Sequence, residues 1–153
     1  ALRNVMLAVQ SVQGSSYRFF KPVMRDASLI DPAMAALERV GLAERAGIPV
    51  AELSHGERRQ LEIAIALALG SRAFLLDEPM AGMGPEGSKK LTAFLDTLRR
   101  EAPILLVEHD MDAVFALADR VTVLVYGRVI ASGTVDEIRK DPEVRKAYLG
   151  DEE

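Results

Sequence analysis

Two runs of four apolar residues constrain this chain more than any other feature. Ala73-Phe74-Leu75-Leu76 leads into Asp77-Glu78-Pro79, and Ile104-Leu105-Leu106-Val107 leads into Glu108-His109-Asp110. Apolar runs without alternation read as short strands buried on both faces. Between them lie a Gly-rich loop and a helix expected over about Glu86–Glu101. Strand, helix, strand with short connections is a βαβ unit, so the two strands are expected to be parallel. The fold class that follows is α/β, with a sheet covered on both faces and charged side chains delivered to one rim.

The segment before the first strand reads as helices and loops. Val5–Val12 has a helix-like apolar face, and Gln13–Tyr17 is a Gly/Ser break. Asp31-Pro32 reads as a helix start, with the acid as cap and proline at the first position, and that helix runs to about Val40 and stops at Gly41. Ser54 and Glu57 fit a capping box ahead of a helix ending at Gly70. Its second half, Ile63–Leu69, is apolar all round and is expected to be buried. After the second strand come a helix over Met111–Ala118 and a hairpin of Val121–Val125 with Arg128–Ser132 around Tyr126-Gly127. Thr134 caps a short helix with Glu137, and Asp141-Pro142 starts the last one. The expected division is a helical part, 1–70, and an α/β part with C-terminal helices, 71–153.

Composition removes several function classes. With 153 residues, 49% of them hydrophobic, the chain has material for about one domain with a core. It has no cysteine, so neither a disulfide framework nor a thiolate metal site is available, and a reducing cytoplasm fits. A net charge of −4 argues against nucleic acid as the main partner, because counterion release needs clustered Lys and Arg. The longest apolar stretch, Ile63–Leu69, is far short of the roughly 20 residues of a membrane helix. The first ten residues contain Arg3 and Asn4 and have no signal-like apolar region. Any membrane role is therefore expected to be peripheral.

Acids at the carboxyl ends of adjacent parallel strands mark where ligands bind in open α/β sheets. Asp77 can hold Mg²⁺, directly or through water. Glu78 can orient or deprotonate a water molecule. His109 can contact a transferring phosphoryl group. Phosphoryl transfer needs these parts: a metal, a water-positioning acid and donors for developing charge. Such acids also serve elsewhere as helix caps or solvated loop residues. Ser54–Glu57 likewise admits two readings. One is a plain helix cap, worth on the order of 1 kcal/mol. The other is an anion site built from free N–H groups, the Ser54 hydroxyl and the close approach that Gly56 permits.

The order of these motifs resembles a family. Leu53-Ser54-His55-Gly56-Glu57, Leu75-Leu76-Asp77-Glu78-Pro79 and Val107-Glu108-His109-Asp110 resemble the signature, Walker B and switch-histidine series of ABC-type ATPases. The tail from Gly127-Arg128-Val129-Ile130-Ala131-Ser132-Gly133-Thr134 through Ala147-Tyr148-Leu149-Gly150 is similar to the ATP-binding subunits of branched-chain amino-acid importers, as is the loop Glu78–Pro85. The resemblance implies ATP and Mg²⁺ as cofactors and a partial P-loop NTPase (RecA-like) core. It implies Asp77 at the Mg²⁺, Glu78 at the attacking water and His109 at the γ-phosphate. It implies that Ser54, His55, Gly56 and Glu57 meet ATP held by a second ATP-binding subunit, with the loop Ala81–Gly84 touching that partner. It also implies that the helical part leans on membrane permease subunits at the cytoplasmic face of the membrane.

Three departures qualify the resemblance. His55 stands where the signature usually has glycine, and Glu57 where it often has glutamine, so Glu57 is expected to point away and complete the cap. Gly84 sits where the partner-contacting loop usually carries an aspartate. Most importantly, no glycine in the chain is followed by lysine, so there is no P-loop string. In the family that string would lie before Ala1. The expectation is the C-terminal portion of a longer ATPase that hydrolyses ATP negligibly by itself.

Other readings compete. Gly82-Met83-Gly84-Pro85-Glu86-Gly87 matches the G-x-G-x-x-G of a dinucleotide-binding, Rossmann-like domain, and Glu108 follows Gly87 by 21 residues, near the offset of a ribose-binding acid. The first glycine comes six residues after Leu76, too late for a tight turn off the strand. A catalytically inactive module binding a permease or ATPase partner is a further alternative. Zinc is not expected: Glu108-His109-Asp110 are contiguous, and the second histidine, His55, lies on another element. The pairs Arg58-Arg59, Lys89-Lys90 and Arg99-Arg100 read as solvated helix faces.

Overall fold

The computed structural model describes residues 1–14 and 23–148. These form two compact units, Ala1–Glu108 and His109–Glu153. Ser15–Tyr17 of the expected break and Leu149-Gly150 of the tail lie outside the described residues.

In the first unit, α1 (Leu2–Gln13), α2 (Ala27–Arg39) and α3 (His55–Ala68) pack on one another. Val5, Met6 and Val9 on α1, Leu29, Ala33 and Leu37 on α2 and Leu61 and Ala64 on α3 are buried. Helix α2 begins one turn earlier than Asp31-Pro32 suggests. Asp26 is its cap and accepts from the Ser28 N–H at 3.2 Å, which places Pro32 inside the helix. A proline there has no N–H for the carbonyl four residues back, that of Ser28. Gln13 repairs the loss: its Nε2 donates to Ser28 O at 2.8 Å. Past the far end of α2, Gly41 has φ 76 and Gln60 Nε2 donates to Val40 O at 2.9 Å, fastening α3 to that turn.

The βαβ unit forms as expected. Strand β1 (Phe74–Asp77) pairs in parallel with β2 (Ile104–Val107), in register Phe74 with Ile104 and Asp77 with Val107, and α4 (Pro85–Leu98) is the crossover. Leu91, Leu95 and Leu98 are the buried stripe of α4. Coverage of the sheet on both faces is not found. Leu75, Leu105 and Val107 share one face and are 77%, 63% and 54% exposed. One crossover helix can cover only one face of its sheet. The end of α3 shows the same incompleteness: Ile65–Ala68 are half-buried and Leu69 is exposed.

The second unit begins with α5 (Met111–Leu117), capped by Asp110, which accepts from the Asp112 and Ala113 N–H groups. Strands β3 (Val121–Val125) and β4 (Arg128–Gly133) form an antiparallel hairpin with an irregularity between Val123 and Leu124. Tyr126 and Gly127 both have positive φ, 49 and 74, as a tight primed turn requires. Thr134 and Glu137 complete the expected capping box on α6 (Val135–Lys140), and α7 (Pro142–Tyr148) follows. Val121, Val123, Ile138 and Val144 form this unit's core. Among the described residues, no helix is long and apolar enough to cross a membrane.

Candidate functional site

Strand β1 ends in two exposed acids, Asp77 and Glu78. The backbone fixes Glu78 firmly. Its N–H donates to Val107 O at 2.8 Å, carrying the parallel ladder one residue past β1. Its φ is then +45, a conformation costing an L-residue roughly 1–2 kcal/mol, and its carbonyl accepts from Ala81 N–H at 3.1 Å. The chain thus leaves the sheet abruptly at Glu78, with the side chain held at the rim. Pro79 has no N–H to offer. The next donor, Met80 N–H, goes to Glu108 Oε1 at 2.9 Å. A groove of about 210 Å³ runs beside β1, lined by Asp77, Leu75, Pro79 and, from α3, Arg59, Glu62 and Ile63.

The start of α3 is a complete capping box. Ser54 Oγ accepts from Glu57 N–H at 3.3 Å, and Glu57 Oε2 accepts from Ser54 N–H at 2.8 Å. The other oxygen, Oε1, receives Arg45 Nε at 2.8 Å. The Ser54 N–H bond above all, with the Arg45 charge adding to it, holds the Glu57 carboxyl below its usual pKa. The expectation that Glu57 completes the cap holds. The N–H groups of His55 and Gly56 have no partner among the described residues, so a helix end with two open donors remains.

The loop after β1 packs directly on this helix end. The His55 ring lies over Gly82, with Nδ1 3.4 Å from where a Cβ would stand, and Gly82 has φ 72. Met83 fills the space between Gly56 and Gly87, with its Cγ 3.1 Å from the Cβ position of Gly56. Side chains thus pack on two glycines of the G-x-G-x-x-G string, Gly82 and Gly87, so neither lines an open cradle.

The structure brings Asp77, Glu78 and Glu108 to the end of the β1–β2 pair, and Ser54–Glu57 to the loop 80–84. His109 is exposed and opens the second unit. Among the described residues, no three His, Cys, Asp or Glu side chains gather as a metal cluster. A single exposed carboxylate such as Asp77 suits Mg²⁺, which is usually held by one or two carboxylates plus phosphate oxygens and water.

Two roles escape the sequence reading. Arg58 is not merely a solvated residue: its Nε donates to Leu53 O at 3.0 Å and its Nη2 to Ala51 O at 3.2 Å, clasping the segment ahead of Ser54. Arg59 pairs with Glu62 at 2.9 Å beside the groove. The Arg58 contacts carry no sequence signal, because an arginine bonding backbone carbonyls looks the same in sequence as one bonding water, whereas the Arg59–Glu62 pair has a readable i,i+3 spacing. Glu108 was visible only as part of a charged triplet, and its bond to Met80 depends on the turn at Glu78.

Known proteins resemble this chain over most of its length. Residues 6–81 match the ABC transporter family, and residues 128–153 match the branched-chain amino acid ATP-binding cassette transporter family. The high-affinity branched-chain amino acid transport ATP-binding protein LivG of Salmonella typhimurium is 41% identical over 124 residues, 80% of this chain and 49% of LivG. BraF of Pseudomonas aeruginosa, described in the same terms, is 41% identical over 117 residues, 75% of this chain and 46% of BraF. The chain thus spans about half the length of the curated relatives it matches. The ADP conformation of MJ1267, an ATP-binding cassette of an ABC transporter, superposes with a TM-score of 0.73 at 24% identity, covering 97% of this chain and 62% of that one. The structure of cbiO1 from Clostridium perfringens gives 0.67 at 30% identity, covering 93% and 57%. The fold is that of ABC cassettes, and the chain belongs to the ABC transporter ATP-binding family, within its branched-chain amino acid group.

Proposed function

We propose that this chain is the signature-bearing and Walker B-bearing portion of the ATPase subunit of an ABC importer, for which branched-chain amino acids are the expected cargo. The observation that carries the reading is the exposed acid pair Asp77-Glu78, fixed at the rim of a parallel βαβ unit by a backbone bond to β2. In this reading residues 1–70 are the helical subdomain that leans on permease subunits at the cytoplasmic face of the membrane. Residues 71–153 are the C-terminal part of the core.

The residues divide the work as follows. Asp77 holds the Mg²⁺ of a bound ATP, and that ion supplies charge neutralisation and orientation of the phosphates when present. Glu78 positions a water and accepts its proton. His109 donates a hydrogen bond to the terminal phosphate from the residue that follows Glu108. Ser54 Oγ and the open N–H groups of His55 and Gly56 receive the phosphates of the nucleotide carried by a second ATP-binding subunit. Glu57 stays turned back into the cap, so its charge does not oppose those phosphates. The loop Ala81–Gly84 lies against that partner subunit.

The test is an ATPase assembled from this chain and a P-loop-bearing half. Glu78→Gln is expected to bind ATP and to slow hydrolysis by about 10²-fold or more. Undiminished turnover by that variant removes Glu78 from the chemistry and the reading with it.

A further inference from the structure

The ladder between β1 and β2 ends at Glu78, yet the loop beyond it is still attached to β2. The attachment is a side chain. Glu78 N–H takes the last main-chain acceptor, Val107 O, and Pro79 has no donor. The chain has turned through a positive φ, so the next amide, Met80 N–H, no longer faces a carbonyl of β2. Glu108, the first residue after β2, reaches across instead and accepts it at 2.9 Å. Met80 is only 5% exposed, so its amide has little recourse to water if that acceptor is lost. On this arrangement Glu78 is bracketed: its own N–H is tied to Val107, and the residue two positions on is tied to Glu108.

We propose that Glu108 is a positioning residue, whose carboxylate pins the loop after β1 through Met80 N–H and so holds Glu78 in its left-handed conformation at the rim. This rests on the role given above to Glu78. The side chain acts by reach. An oxygen acceptor two methylenes from the backbone is required, and its charge is secondary. A glutamine preserves both reach and acceptor. An aspartate preserves the charge but is one methylene too short. An alanine preserves neither.

Two measurements test this. The first is amide hydrogen exchange at Met80 in this 153-residue chain. Glu108→Ala and Glu108→Asp are expected to speed Met80 exchange about tenfold or more, while Glu108→Gln stays within about threefold of wild type, with exchange at Leu75 and Leu76 as the check that β1 is intact. The second is steady-state kinetics in the ATPase assembled with a P-loop-bearing half. Asp and Ala at 108 are expected to lower kcat about tenfold or more with KM for ATP within twofold, and Gln is expected to retain kcat. Unchanged Met80 exchange in both Asp and Ala variants overturns the proposal. So does a Gln variant as slow as the Asp and Ala ones, or a kcat indifferent to all three. Exchange reports the tie without any nucleotide. Should Glu78→Gln keep full turnover, the fault lies in the role given to Glu78, which the exchange result identifies separately.

Discussion

Glu57 is the residue at which local stability and the open end of α3 are most tightly joined. Its two oxygens do two things: Oε2 closes the capping box on Ser54 N–H at 2.8 Å, and Oε1 holds Arg45 Nε at 2.8 Å. A cap is worth about 0.5–2 kcal/mol. The ion pair adds about 0.2–1 kcal/mol, discounted because Arg45 is 42% and Glu57 24% exposed. Glu57→Ala loses both and is expected to cost about 1–2 kcal/mol, whereas Glu57→Gln keeps an acceptor for Ser54 and loses about half of that. The pH dependence follows from the lowered pKa of the folded carboxyl. Its stabilisation is fully present above the ordinary value of 4.5 and is lost as pH falls through the lower folded value. A protonated glutamic acid still has a carbonyl to accept with, so it resembles glutamine. Urea unfolding followed by circular dichroism, with wild type and both variants compared at pH 7, 5, 4 and 3, reads this out. Wild type should exceed Glu57→Gln at pH 7 and approach it as pH falls below 4.5 through the lowered folded value, while the gap between Gln and Ala persists. A gap between wild type and Glu57→Gln that is the same at pH 7 and pH 3 refutes the assignment of the charge to this box.

Two other consequences are open to measurement. Glu78→Gly relieves an L-residue at φ +45 and is expected to raise the stability of the chain by about 1 kcal/mol in urea titration while removing the acid proposed above for hydrolysis; a loss of stability would mean that the left-handed turn carries no strain. Leu75→Lys on the bare sheet face is expected to cost this chain less than about 0.5 kcal/mol, because the side chain is already 77% exposed, but about 2 kcal/mol or more once a P-loop-bearing half covers that face. Equal costs in the two settings would show that the face is not an interface within the cassette.

What was legible in the sequence is what depends on short-range chemistry. The parallel pair, the hairpin at Tyr126-Gly127 and the two capping boxes rest on periodicity, turn residues and i-to-i+3 pairs, and all appear in place. The start of α2 was misplaced because Asp-Pro is a good helix start, but Asp26 offers a cap with both the N–H and the hydroxyl of Ser28 as donors, and the Gln13 side chain excuses the proline. Burial of Ile65–Leu69 and of both sheet faces was overstated for a different reason. An apolar pattern reports which surfaces demand cover, and the described residues supply cover for only one side. Glu108 was hidden because its role depends on the dihedral angles of a residue thirty positions earlier.

The departures from the usual signature are absorbed by neighbours, which explains how the motif can carry them. The imidazole at position 55 packs over Gly82, whose glycine is called for by its left-handed φ of 72 rather than by the ring, since a Cβ there would meet the ring at ordinary contact distance. An extra carboxylate at position 57 needs neutralising, and Arg45 meets it at 2.8 Å. Gly84, the departure in the loop after β1, is the N-cap of α4 with no side-chain bond to give, so the aspartate usual in the family would there be a helix cap as well. Glu57 and Arg45 should therefore be treated as a pair: changing Arg45 alone leaves the carboxylate without its cation, whereas Glu57→Gln keeps the acceptor for Ser54 and loses only the charge pairing.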